Sequence, residues 1–132
     1  MAYGDINADV LQSSTTGTAP VFRDGSGNQI GTLCRAWVQF DGTATPGTIR
    51  ASFNVSSVSR NASADYTVNF TTAFSDANYS INGTAGGGSS NAIPRLIGPS
   101  NADPTTSGVR VVIGNDTGAA DPMRFCSIAI FR

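Results

Sequence analysis

The stretch Cys34-Arg35-Ala36-Trp37-Val38-Gln39-Phe40-Asp41-Gly42 decides the fold. Cys34, Ala36, Val38 and Phe40 fall on one face and Arg35, Trp37 and Gln39 on the other, the period of a strand with one buried face. Asp41-Gly42 ends it with a turn signal.

The same alternation recurs on both sides. Downstream it runs through Ile49-Arg50-Ala51-Ser52-Phe53, then 55–58, then Asp65-Tyr66-Thr67-Val68-Asn69-Phe70, where Tyr66, Val68 and Phe70 point inward. Phe74 lies in a polar connection and is expected to plug one end of the core. Shorter strand candidates are 79–81 and 93–97, and Gly108-Val109-Arg110-Val111-Val112-Ile113 is a longer one. Phe125-Cys126-Ser127-Ile128-Ala129-Ile130-Phe131 is apolar at nearly every position, which predicts a central strand covered on both faces. Its closeness to the end of the sequence implies that truncating it unfolds the domain. Gly, Asn, Asp, Ser and Pro clusters separate these runs, and the whole predicts an all-β fold, an antiparallel β-sandwich.

Upstream the chain changes character. Residues 5–11 alternate weakly through Ile6, Ala8 and Val10, and 13–18 form a polar break. A hairpin is expected from Val21-Phe22-Arg23 and Gln29-Ile30 around Asp24-Gly25-Ser26-Gly27-Asn28. With so few large apolar residues, 1–33 reads as an N-terminal β-arm for anchoring or oligomer contacts, ahead of a β-sandwich domain at 34–132. Residues 82–91 are Gly/Ser-rich and predicted flexible, and 99–107 form a second polar turn region.

Composition limits the chemistry. Of 132 residues 39% are apolar and 13% charged, enough for one core-forming domain. Every base is Arg and every acid Asp; there is no Lys, Glu or His. That removes the usual material of exposed helix faces. It also removes Ser-His-Asp triads, His-containing zinc sites, Schiff-base lysines and Walker-type phosphate loops. Asp pairs, Ser and Tyr remain. The eight scattered arginines in a chain of net charge −1 give no reason to expect nucleic acid. No apolar run nears the roughly 20 residues of a membrane span. Residues 1–10 lack the marks of a secretory signal, so synthesis in a cytosol is expected.

Each candidate site has a plainer role beside its chemical one. Asp24 to Asn28 superficially resembles a calcium loop, but the twelfth position, Glu in an EF-hand, is Arg35; a hairpin turn is the better reading. Asn115-Asp116-Thr117-Gly118 and Asp121-Pro122 also read as turns. The Asn-x-Ser/Thr triplets at Asn54, Asn61, Asn69, Asn78, Asn82 and Asn115 follow from abundant Asn, Ser and Thr. A glycosidase needs two carboxyl groups about 5–10 Å apart, and only Asp41 and Asp65, flanking strands, offer such a pair. Trp37, the sole Trp, has a sugar-stacking reading on an exposed face and a packing reading in the core or a subunit interface, the second being favoured mid-strand. Arg35, two residues away, has the option of stacking on it or pairing with an Asp. Cys34 and Cys126 read as two small buried hydrophobes, with a bridge open if their strands are neighbours.

Three spaced blocks carry a resemblance: 35–43 (RAWVQFDGT), 49–58 (IRASFNVSSV) and 65–79 (DYTVNFTTAFSDANY), with a closing SIAIFR at 127–132. They resemble the C-terminal domain family of tailed-bacteriophage tail-fibre and related virion structural proteins, whose upstream lead-in is also similar to Leu11-Gln-Ser-Ser-Thr-Thr-Gly17. The resemblance implies a β-rich, trimeric virion module and supplies no catalytic residues; no cofactor and no metal are expected. It implies partners in further copies of itself, in other tail or capsid proteins, and in a host surface glycan or receptor. Members usually place a long shaft before this domain, whereas here only 1–33 precede it. The expectation is therefore a non-enzymatic tail-associated fibre or tip protein on the virion surface, displaying loops for host contact. A capsid decoration protein that stabilises the shell is the alternative, and an Asp-based glycan depolymerase the third.

Overall fold

The chain divides into two compact units, 1–33 and 34–132. The computed structural model describes residues 10, 12–14, 20–87, 95–99, 102–114 and 120–132, and among these every regular element is a strand. In the first unit, β1 (Phe22–Arg23) and β2 (Gln29–Gly31) form an antiparallel hairpin. Asp24 organises the turn: its Oδ1 accepts from the amides of Ser26 and Asn28, both at 2.9 Å. Gly27 supplies the φ of 86° that side-chain-bearing residues resist. The weak alternation at 5–11 falls almost wholly outside the described residues, as do 15–18, 88–91, Ile93 and 115–118.

The second unit is an antiparallel β-sandwich. Its strands are β3 (Cys34–Asp41), β4 (Thr48–Phe53), β5 (Val55–Ala62), β6 (Asp65–Phe70), β7 (Ser80–Gly86), β8 (Arg95–Pro99), β9 (Gly108–Ile113) and β10 (Phe125–Phe131). They hydrogen-bond in the order β4-β3-β10-β7-β8-β9-β6-β5. Two corners fold this ribbon into layers. β8 pairs with β7 through Arg95 and Leu96, then with β9 through Ile97, Gly98 and Pro99, so one strand passes between layers. At the other end Asn54 joins the two outermost strands, β4 and β5, at a φ of 54°. Asn is among the few residues that visit this region readily. Its side chain then locks the corner: Nδ2 donates to the Arg35 and Thr72 carbonyls at 3.1 Å each, and Oδ1 accepts the Thr72 amide at 2.7 Å.

The core follows the strand alternation. Ala36, Val38 and Phe40 of β3 and Cys126, Ile128 and Ile130 of β10 face Val58 of β5, Tyr66, Val68 and Phe70 of β6, and Val109, Val111 and Ile113 of β9. Phe74 plugs one end as expected, stacked on Phe70 with ring centroids 4.6 Å apart and edge-on to Tyr79 at 5.2 Å. Tyr66 is fully buried, and its hydroxyl donates to the Gly42 carbonyl at 2.5 Å, tying the β3–β4 turn to β6.

Four expectations need correction or refinement. β10 is central between β3 and β7, but only one of its faces is covered: Phe125 is exposed and Ser127, Ala129 and Phe131 are half-buried. Phe125, Ala129 and Phe131 are apolar on the outward side too, which is why both faces read as covered. Arg35 stacks on Phe74, not on Trp37. A bulge pairs Phe131 with Cys34 and Ile130 with Ala36, leaving Arg35 the extra residue, and its guanidinium lies over the Phe74 ring at 5.7 Å. Residues 82–86, predicted flexible, are strand, because β7 pairs with β10 along its length and backbone pairing needs no bulky side chains. The two cysteines lie on neighbouring strands and are nonetheless free. Cys126 pairs with Phe40 and Cys34 with Phe131, a separation of roughly 17 Å along the strand against the roughly 7 Å limit for a bridge.

Candidate functional site

The uncovered face of the β4-β3-β10-β7 layer carries the chain's sole Trp. Antiparallel register sets its residues in two rows. Phe53, Trp37, Ala129 and Asn82 lie side by side across the four strands, and Ala51, Gln39, Ser127 and Thr84 form the next row. Neighbouring strands sit about 4.8 Å apart, so Trp37 and Asn82 stand roughly 10 Å from each other with only Ala129 between them. Small side chains on the central strand and larger ones on its neighbours make a groove of about 400 Å³, floored by Ser127 and Ala129.

Trp37 is 39% exposed, so the core-packing reading of this residue is corrected. Its neighbour Val38, pointing the other way, is 1% exposed. Phe53 beside it is 55% exposed. At the end of the face, Phe125 is flanked by the guanidinium groups of Arg50, 4.6 Å from the ring centroid, and Arg124 at 5.8 Å. A second depression of about 310 Å³ lies around Asn54, but there the Asn54 amide is already committed to the corner.

The polar groups of the two layers differ in what they bond. On the β5–β6 surface they satisfy one another: the Asn69 amide donates to Ser57 Oγ at 2.9 Å and Ser59 Oγ at 3.3 Å, and the Asn61 amide to Thr67 Oγ1 at 2.9 Å. In the groove, the side chains of Gln39, Asn82, Thr84 and Ser127 form no hydrogen bond among the described residues, and neither does the Trp37 indole. None of the groove's lining residues carries a charge.

The carboxylates proposed as a hydrolytic pair are each held by their own partners. Asp41 accepts from Thr43 Oγ1 at 2.6 Å and from Arg50 at 2.8 Å; the Thr43 hydrogen bonds, then the nearby Arg50 charge, hold its pKa below the usual Asp value. Asp65 receives Arg110 in a two-pronged pair at 2.9 and 2.5 Å, which lowers its pKa likewise. Asp76 pairs with Arg132 and shifts in the same direction. A general acid needs a carboxyl with a raised pKa; these three move the opposite way. Among the described residues no cluster of Cys or Asp is arranged to hold a metal ion.

No family model, no curated protein and no solved structure matches the chain.

The three sequence blocks map onto scaffold. Residues 35–43 form β3 and the Gly42 turn, 49–58 form β4, the Asn54 corner and the start of β5, and 65–79 run from β6 through the Phe74 plug. Sequence reasoning singled out Trp37 alone of the groove. Phe53, Gln39, Asn82, Thr84 and Ser127 were missed, because only the strand order brings three separate segments to one face.

Proposed function

We propose that the chain is a non-enzymatic structural protein of a tailed-bacteriophage virion, of the tail-associated fibre or tip type, assembling as a homotrimer and presenting a surface to the host. The observation that carries this reading is an exposed aromatic and uncharged polar face on a sandwich whose paired carboxylates are occupied by arginines. Such a surface binds; it offers no acid, base or nucleophile poised for turnover. The resemblance of the three blocks to tail-fibre C-terminal domains supplies the virion context, and those blocks are the residues that build the turns, corner and plug of the fold. Closed symmetric assembly would cover exposed surface and the first unit's hairpin.

A capsid decoration role is the second reading, favoured by the separate compact unit 1–33, a segment suited to anchoring on a shell. Copy number per purified particle, measured by quantitative mass spectrometry, separates the two. A few to a few tens of copies support the tail reading, and hundreds support decoration. Absence from the particle defeats both.

A further inference from the structure

We propose that the groove on the outer face of β4-β3-β10-β7 is a binding site for a neutral sugar unit, with Trp37 as the platform against which the ring stacks. This deepens the reading of the chain as a display module, because it names the class of ligand the displayed surface takes. It also relocates recognition from the loops to a sheet face.

Sugar rings present two kinds of surface: an apolar face of C–H groups and an edge of hydroxyls that both donate and accept. The groove offers a matching counterpart to each. Trp37, 39% exposed and next to the 55% exposed Phe53, provides an aromatic plate. Across the low floor of Ser127 and Ala129 stand Asn82 and Thr84, and Gln39 lies beside Trp37 in the second row. Amides and hydroxyls together supply donors and acceptors in the mixture that hydroxyl groups require. Among the described residues they are unspent, whereas their counterparts on the β5–β6 surface bond one another.

Charge and size select the occupant further. With no charged residue in the lining, an acidic sugar, a phosphate or a basic peptide finds no partner there. A volume of about 400 Å³ lies toward the small end of the roughly 300–1,000 Å³ of small-ligand clefts. A second protein copy is a poorer fit. A stable protein interface needs about 800 Å² a side with an apolar centre, and here the centre of the face is Ser127 and Ala129 with unpaired amides on either flank.

Because Trp37 is the only Trp, its fluorescence reports on the groove in the full chain with no label. The probes are neutral oligosaccharides terminating in glucose, galactose, N-acetylglucosamine or mannose, with sialylated and sulfated oligosaccharides as the charged comparison. The expected result is a saturable change in Trp emission with at least one neutral probe and none with the charged set. Asn82→Ala and Gln39→Ala keep the reporter, and each should weaken that binding roughly fivefold, the value of one neutral hydrogen bond. Trp37→Ala, followed by calorimetry, should weaken it on the order of tenfold or more. All three positions are exposed, and circular dichroism checks that the variants fold. The proposal is overturned by silence across the whole neutral set, by binding of charged sugars alone, or by binding that the three variants leave intact. It is equally overturned if Trp37→Ala dissociates the native oligomer, which would make the face a subunit interface. Sugar binding by a chain absent from particles would defeat the virion reading alone; a chain present in particles that fails these titrations would defeat the groove alone.

Discussion

Replacing Tyr66 by Phe tests how the two layers are held together. The Tyr66 ring is fully buried, edge-on to Phe40 at a centroid distance of 5.1 Å, and Phe preserves that packing. What is lost is the hydroxyl, 2.5 Å from the Gly42 carbonyl. Gly42 is itself buried, with its amide donating to the Met123 carbonyl at 2.8 Å, so the turn is fastened from both sides. There is little slack: a Cβ on Gly42 would stand 2.8 Å from Tyr66 Oη, 2.9 Å from Met123 O and 3.0 Å from Cys126 Sγ. Without the hydroxyl, the Gly42 carbonyl faces an apolar ring, and an unsatisfied buried polar group costs about 1–3 kcal/mol. For a domain of this size that is a fall in Tm of about 4–8 °C per kcal/mol. Urea titration followed by far-UV circular dichroism, at one fixed protein concentration, measures it. Tyr66→Phe should lower the midpoint without changing the slope. A variant within about 0.5 kcal/mol of the parent, inside the range of neutral surface changes, would refute the idea that this bond pins the turn to β6.

Other outcomes follow from the same geometry. Asn54→Ala should destabilise the sandwich by about 2 kcal/mol or more, from left-handed backbone strain plus the lost side-chain bonds to Arg35 and Thr72; Asn54→Gly, which relieves the strain alone, should recover part of it in the same titration. Asp65 has a folded-state pKa below its ordinary value because Arg110 bonds its ionised form. Its stabilisation is therefore present above about pH 4 and lost as pH falls through the lower folded value. An Asp65→Asn variant should show a shallower acid-induced loss of stability below pH 4 than the parent. Burial pushes the Cys126 thiol up to about 11 and leaves it inaccessible, whereas Cys34 is only half-buried. Iodoacetamide at neutral pH should modify Cys34 in the native protein and reach Cys126 only in denaturant, as mass spectrometry of the peptides will tell.

Much of the fold is legible in the sequence because a strand with one buried face writes itself as alternation. Tyr66, Val68 and Phe70 are inward, as their spacing demands, and Phe74 closes the core although it stands in a polar connection. The misreadings have physical causes. In β7, Asn82-Gly83-Thr84-Ala85-Gly86 has the composition of a linker, and only the backbone bonds to β10 make it strand. In β10, Phe125, Ala129 and Phe131 make the open face read as a covered one. The bulge that sets Cys34 opposite Phe131 leaves no mark in the alternation, and the register that separates Cys34 from Cys126 is invisible until the strands are paired. The groove was the least legible feature, since β3, β7 and β10 are contiguous in space and far apart in sequence. Trp37 did declare its side of the strand, opposite Val38; what the sequence lacked was the knowledge that nothing from this sandwich covers that side.

The most direct measurement of the virion assignment is gold labelling of intact, purified particles with an antibody raised against the full chain, viewed by electron microscopy. The expected result is gold confined to the tail. Particles that carry no gold, while the free protein binds the antibody in solution, would contradict it.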